Sequence, residues 1–274
     1  MMKKITKGIL RRIGFDIVRY RPHHQPETLR DFTDQEIRIV ELVKPYTLTS
    51  EERIAALLNA VGYVTERKIP GAFAECGVWR RGSMMAVALA LMYHGDPNRD
   101  LYLYDTFDGM AEPTNHDKSF DGRSARSQFE RGPVETGGWC RSPIEAVRTN
   151  VLSTGYPEEK VHLIQGKVEE TLPSIRPDRL ALLRLDTDWY ESTRHELVHL
   201  FPLLDPRSPL IIDDYGHWQG ARRAVDEYIA EHELNLYLHR VDYTCRVAVR
   251  TAYAPDRKQA DALASVTGSV ITGY

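Results

Sequence analysis

Beyond Gly71 the chain repeats one pattern: short apolar or β-rich runs at 72–76, 101–104, 161–165, 180–185 and 209–213 alternate with longer stretches of helical periodicity. Runs that are apolar almost throughout suit strands covered on both faces, and each gap leaves room for a crossover helix. Such alternation is the signature of a doubly wound parallel sheet. Two final runs, 234–238 and 245–249, lie too close together for a crossover helix and predict an antiparallel hairpin at one edge. The expectation is an α/β, Rossmann-like fold built on a seven-stranded, mostly parallel sheet.

In open sheets of this kind ligands bind beyond the carboxyl ends of the strands, so the residues that end each run carry the functional signal. Asp186 and Asp188 follow the fourth run in LLRLDTDWY, and Asp213 and Asp214 follow the fifth in PLIIDDYG. Adjacent strands would bring these carboxylates to one point, where they repel unless a hard cation with oxygen ligands holds them together. Mg2+ suits a few carboxylates completed by water and substrate oxygens. An acid after a strand can also simply cap the helix that follows. Two such clusters favour a metal site over two caps.

The first run leads into FAECGVWRRGSMMAVAL, a strand, a turn with Gly77 and Gly82, and a helix. Gly77 permits a tight turn and close approach to a ligand, and Glu75 stands where it could accept a ligand hydrogen bond. Trp79 and Arg80 occupy places where a dinucleotide loop wants small residues, and no GxxxxGK[ST] phosphate loop is present. Asp105 ends the second run, as acids that bind ribose hydroxyls do. An acid after strands one and two, beside a metal-type cluster after strands four and five, suggests an adenosyl cofactor next to a metal-held acceptor. That is an S-adenosylmethionine-dependent methyltransferase of the class I fold.

The flanks divide the chain further. Residues 1–30 open as MMKKITKGILRRIGFDIVRYRP, basic with apolar residues at helical spacing. This permits peripheral contact with a membrane, a helix docked on a partner subunit of a homo-oligomer, or a loose terminal helix. Residues 31–70 read as two helices, the second capped by Thr49 or Ser50, forming a helical N-terminal cap on the methyltransferase domain at 71–253. The insertion 109–138 is polar and rich in turn formers, so it is expected to be a substrate lid. The tail, 254–274, carries no signal. A net charge of −3 disfavours nucleic acid, and three scattered cysteines give neither a disulfide nor a zinc pattern, which points to the cytoplasm.

The runs TLTSEERI, FAECGVWRRGSM, YDTFDGM, VHLIQGKVEETLP, RLDTDWYEST and IIDDYGHWQGARRAVDEY resemble the macrocin O-methyltransferase family of Mg2+-dependent sugar methyltransferases. The resemblance implies methyl transfer from S-adenosyl-L-methionine to a sugar hydroxyl of a glycoside or glycan acceptor, as in natural product biosynthesis. It implies Asp186, Asp213 and Asp214 as metal ligands and Asp188 as general base, with His217 as the rival base. It also implies cofactor contacts from Thr49, Ser50, Glu75, Gly77, Asp105, Asp186 and the turn Gly166, Lys167 and Val168. Related metal-dependent catechol and caffeoyl methyltransferases carry a lysine shortly after the first acidic ligand, where this chain has Trp189. A phenol needs less help to ionise than a sugar alcohol, so the missing lysine weakens the phenolic reading, and a phenolic acceptor stands as the alternative. A metal-dependent hydrolase, or a sugar-binding protein without catalysis, stands further off.

Overall fold

The computed structural model describes residues 30–80, 82–130 and 140–251. The basic segment and the tail fall outside the described residues, apart from Arg30, as does the 131–138 part of the insertion.

Helix α1, Asp34–Val43, begins with a reciprocal cap that the sequence reading had passed over: Thr33 Oγ1 accepts from Glu36 N–H, and Glu36 accepts from the Thr33 amide. Helix α2, Glu51–Glu66, is capped by Ser50, which accepts from Arg53 N–H at 3.3 Å. Its buried Ile54, Leu57, Leu58, Val61 and Val64 recur at helical spacing, so one face is committed to the core. Helix α3, Gly82–Tyr93, is buried on nearly every side, as its apolar sequence requires. The two N-terminal helices pack against α3 in the same hydrophobic cluster as the sheet.

Strands β1 (Ala72–Cys76), β2 (Leu101–Asp105), β3 (Val161–Gln165), β4 (Leu180–Leu185) and β5 (Pro209–Ile212) are parallel. With β6 (His239–Arg240) and β7 (Arg246–Val249) they form one sheet in the order β3-β2-β1-β4-β5-β7-β6. Chain order reverses between β1 and β4, which makes the crevice beyond their ends the natural ligand site. Side chains alternate between faces. Phe73, Leu182 and Ile211 join the cluster under α1 to α3, while Ala74, Leu183 and Ile212 join the cluster on the other face. By the same alternation Glu75, Arg184 and Asp213 share the face of Phe73, Leu182 and Ile211.

One expected element differs. The run 234–238 is not a strand; β6 begins at His239 and pairs with β7 only at His239↔Val247 and Arg240↔Arg246. Leu234, Leu236 and Leu238 instead pack on the core. Their alternation reflects one-sided burial without a strand to pair with, and β7 pairs with β5 along its length.

The end of β1 interlocks with the end of β4. Asp186 N–H donates to Cys76 O at 2.9 Å, and Gly77 has φ +82° with room for no side chain, since a Cβ there would lie 2.0 Å from Asp186 O. Gly77→Ala is therefore expected to lose about 2 kcal/mol or more of folding stability, combining left-handed strain with a backbone clash. Chemical denaturation checks this, and an unchanged midpoint would show that the turn relaxes freely.

Candidate active site

A cavity of about 260 Å3 opens where the sheet reverses direction. Its walls come from the loop before α2, the tips of β1 to β5 and residues 109–111. Of the predicted site residues, Thr49, Gly77, Asp105, Gly166, Lys167, Val168, Asp186, Asp188, Asp213 and Asp214 line it. Ser50 caps α2 beside it, and Glu75 and His217 lie behind and beyond its wall. Three residues on the cavity wall, Trp79, Cys140 and Asp188, hold positive φ without being glycine. Backbone strain of this kind concentrates at functional sites.

On the β1–β2–β3 side the turns are tied to one another. Asp105 Oδ2 accepts from the amides of Val78 and Trp79 at 2.7 and 2.9 Å, and its Oδ1 accepts from Phe107 N–H. Gly166 N–H donates to Asp105 O. Asp105 thus builds the loops, with remaining lone pairs for a ligand. The close neighbour that demands glycine at 77 is the Asp186 carbonyl.

Glu75 is fully buried, and its Oε1 accepts from Ser83 Oγ at 2.5 Å and from Arg184, leaving Oε2 without a donor. Burial raises its pKa, against the pull of Arg184. An orphaned buried carboxylate oxygen behind the glycine turn fits a cationic group such as the ammonium of S-adenosylmethionine.

On the β4–β5 side one ligand oxygen from each of Asp186, Asp213 and Asp214 lies within 4.8 Å of the others. Two arginines that the sequence reading missed compete for them. Arg184, 3% exposed, donates to Asp186 Oδ2 at 2.6 Å, Asp213 Oδ1 at 2.7 Å and Thr49 Oγ1 at 3.2 Å, as well as to Glu75. Arg53 bridges Asp213 Oδ2 and Asp242. The signal for Arg184 was present: it stands two residues before Asp186, on the same strand face. Nothing in local spacing joins Arg53 to Asp213 or Asp242.

Even so the acids outnumber the arginines. Burial pushes Asp186 up despite Arg184, with Asp213 and Asp214 adding repulsion. Burial and the adjacent Asp188 likewise raise Asp214, whose Oδ2 is buried with no donor facing it. Asp188 is pushed up to about 7 by burial, while hydrogen bonds from Asp214 and the Trp218 indole hold it down. The Asp188 and Asp214 side chains lie within hydrogen-bonding reach of each other. Three convergent oxygens, one of them orphaned, are a donor set that fits a hard divalent cation.

His217 sits apart. Its Nδ1 meets Tyr243 Oη at 3.1 Å and burial lowers its pKa, so the ring is neutral at physiological pH.

Similarity to known proteins agrees with this geometry. Residues 12–250 match the sequence profile of the family described as macrocin-O-methyltransferase (TylF). Over 199 residues the chain is 34% identical to 8-demethyl-8-(2,3-dimethoxy-alpha-L-rhamnosyl)-tetracenomycin-C 4'-O-methyltransferase of Streptomyces olivaceus, covering 73% of each chain. It is 28% identical over 197 residues to mycinamicin III 3''-O-methyltransferase of Micromonospora griseorubida, covering 72% of this chain and 75% of that one. Among solved structures, the O-methyltransferase NovP superposes with a TM-score of 0.67 at 29% identity, over 76% of this chain and 83% of that one. The calicheamicin methyltransferase CalS11 shares the fold, with a TM-score of 0.54 at 19% identity over 88% of this chain and all of that one.

Under the acidic loop lies a carboxyl that the cavity does not use. Glu196, on helix α7 (Tyr190–Leu200; α4 to α6 are Ala125–Phe129, Ile144–Leu152 and Val168–Thr171), is fully buried and accepts from Thr187 Oγ1 at 2.9 Å. Burial raises its pKa well above 4.5. The folded state therefore binds this proton more tightly than the unfolded one, and the stability so gained is lost as pH rises above 4.5. Glu196→Gln has no such proton to lose. Melting curves of the two proteins from acid to mildly alkaline pH should diverge, with the wild type falling relative to the variant, and parallel curves would disprove the assignment.

Proposed function

This chain belongs to the macrocin-O-methyltransferase family, an S-adenosylmethionine-dependent O-methyltransferase, and on that premise we propose that it methylates a sugar hydroxyl of a glycosylated natural product with the help of Mg2+. The observation that carries the proposal is the convergence of Asp186, Asp213 and Asp214 beside Asp188 in the cavity that the β1–β3 turns also line. Relatives at 34% and 28% identity are named for methylating sugar-bearing compounds, a rhamnosyl tetracenomycin and mycinamicin III.

The chemistry divides between the two sides. Glu75 Oε2, Asp105 and the turns at Gly77 and Gly166 are the groups available to hold S-adenosylmethionine, whose sulfonium supplies an already activated methyl carbon. A Mg2+ ion on Asp186, Asp213 and Asp214 would supply Lewis-acid polarisation of an acceptor hydroxyl. Asp188 stands two residues from Asp186, held by Trp218, and takes the proton of the hydroxyl as the new O–C bond forms and the S–CH3 bond breaks, the electron pair staying on sulfur as S-adenosylhomocysteine leaves. Holding oxygen, base and methyl carbon in line removes much of the entropic barrier. Arg184 keeps Asp186 and Asp213 in register from behind. Neutral His217, turned toward Tyr243, belongs to the acceptor wall.

Asp188→Asn is expected to lower kcat by about 100-fold or more while S-adenosylmethionine affinity stays near that of the wild type. Asp214→Asn should instead weaken Mn2+ binding measured by calorimetry, because Asp214 has no guanidinium partner to lose. Retained turnover in the first variant removes Asp188 as base; retained metal affinity in the second removes Asp214 as ligand.

Three carboxylates leave coordination positions for two neighbouring substrate oxygens, so the preferred acceptor carries a free vicinal oxygen. A vicinal diol should react faster than its mono-blocked analogue at saturating Mg2+. Equal rates for the two would exclude orientation of the acceptor by the metal.

A further inference from the structure

Each oxygen of the Asp213 carboxylate meets a guanidinium. Oδ1 accepts from Arg184 at 2.7 Å and Oδ2 from Arg53 at 2.5 Å. Asp213 is also one of the three acids whose ligand oxygens converge. Whichever oxygen it offers to a cation is therefore one that an arginine already touches. Asp213 does not depend on Arg53 for its place: its amide donates to Leu185 O, its carbonyl accepts from Thr244 Oγ1, and Arg184 stays on Oδ1.

The two arginines are not equally committed. Arg184 is 3% exposed and donates to Glu75, Asp186 and Thr49 as well, so moving it would strip a wholly buried glutamate of its guanidinium. Arg53 stands on the cavity wall in the first turn of α2, with its side chain 16% exposed. Its Nη1 serves Asp213 while its Nε serves Asp242 Oδ2 at 2.7 Å. It can release one carboxylate and keep the other. Asp242 is fixed for this: its Oδ1 accepts from the amides of Thr244 and Cys245 at 2.9 and 2.7 Å, and its Oδ2 accepts from Ser50 Oγ at 3.4 Å.

The charge of Arg53 reaches past this contact. Burial and the carboxylates of Asp188 and Asp213 push Asp214 up, and Arg53 pulls it down. One cation thus acts on two of the three acids that would hold a metal. A divalent ion entering there meets like charge in a partly buried setting, where water and salt screen repulsion less than at a surface. Replacing Arg53 by a neutral side chain frees Asp213 Oδ2 and bares Asp242. Both changes favour a cation.

We propose that Arg53 competes with a divalent cation for Asp213 and so sets the affinity of the acidic site, with Asp242 as the partner that keeps the guanidinium when the ion takes its share of Asp213. This rests on the reading of Asp186, Asp213 and Asp214 as metal ligands. Without an ion, the guanidinium balances the carboxylate. With one, it remains a tie between the first turn of α2 and the loop before β7, so occupancy of the site is felt by the helix that Ser50 caps.

Calorimetric titration of Mn2+ into the full chain tests this, on the wild type, Arg53→Met, Arg53→Lys and Asp242→Asn. Arg53→Met should bind the ion about tenfold more tightly, and Arg53→Lys, which keeps the charge, should stay near the wild type. Asp242→Asn leaves the guanidinium wholly to Asp213 and should bind Mn2+ more weakly than the wild type. It retains the oxygen that takes the Thr244 and Cys245 amides, and carries the test if Arg53→Met does not fold. Adding Asp214→Asn to Arg53→Met should return the affinity to the wild-type value or below, which locates the ion at the acidic site and not at bared Asp242. Equal or weaker binding by Arg53→Met, a gain as large in Arg53→Lys, equal or tighter binding by Asp242→Asn, or a gain that survives Asp214→Asn overturns the proposal. Wild-type binding that the Arg53 variants leave unchanged would keep the three-carboxylate site and remove Arg53 from it. Absence of Mn2+ binding in every one of these proteins would sink the metal reading itself.

Discussion

Arg184 is the charge around which the strand tips are arranged. Glu75 and Arg184 are direct neighbours across β1 and β4, and Asp213 ends β5 on the same face. Parallel strands ending together bring Glu75, Asp186 and Asp213 into one low-dielectric volume, where mutual repulsion would splay the sheet. One guanidinium, presenting a planar fork of donors, reaches all three and also Thr49 before α2. A lysine has neither the donor number nor the geometry to do so. Desolvating such a group is expensive, and the Coulomb gain repays it only with a full set of partners; Arg184 has them. The N-terminal helices are thereby coupled to the site, since Thr49 and Arg53 bring their loop and first turn onto the same carboxylates.

Arg184 and Arg53 meet both oxygens of Asp213, so a cation held by Asp186, Asp213 and Asp214 would share that carboxylate with two guanidiniums. Burial and neighbouring carboxylates raise the pKa of both Asp188 and Asp214, which is the sign of a surplus of acid. On the proposed reading, Asp186, Asp213 and Asp214 would hold a divalent ion whose charge would favour the ionised form of Asp188. Asp188 would then serve as the proposed base without a strongly basic side chain. Asp188 is held for this in a left-handed backbone conformation, φ 68°, on a loop that Thr187 fastens to the buried Glu196.

Much of this was legible in the chain. The runs match β1, β3 and β4 to the residue; β1 and β4 are buried throughout and have a composition that solvent-facing segments lack, while β3, half-buried at the sheet edge, is bounded by its turns. The acids at strand ends followed from the topology. Partners distant in sequence were not legible: Arg53 meets Asp242 across 189 positions, and no local period encodes that contact. The sequence marks Glu75 and Asp105 as acids at strand ends able to accept from a ligand, and says nothing of their partners within the protein. The structure shows Glu75 turned back on Arg184 and Asp105 engaged with three backbone amides, because a buried carboxylate must first find donors within the protein. The run 234–238 misled because alternation reports burial on one side, and a strand needs a neighbour as well.

The division between strand tips and loops also bears on how such a site can keep one reaction while accepting different molecules. The carboxylates end strands whose positions the whole core determines, so the spacing of oxygens that they read is hard to alter. Phe120 and Tyr243, the rings beside His217, sit in connecting segments, at 113–124 and 241–245, that carry few core residues and can vary at little cost to the sheet. Family relatives named for acceptors as unlike as a tetracenomycin and mycinamicin accord with that separation.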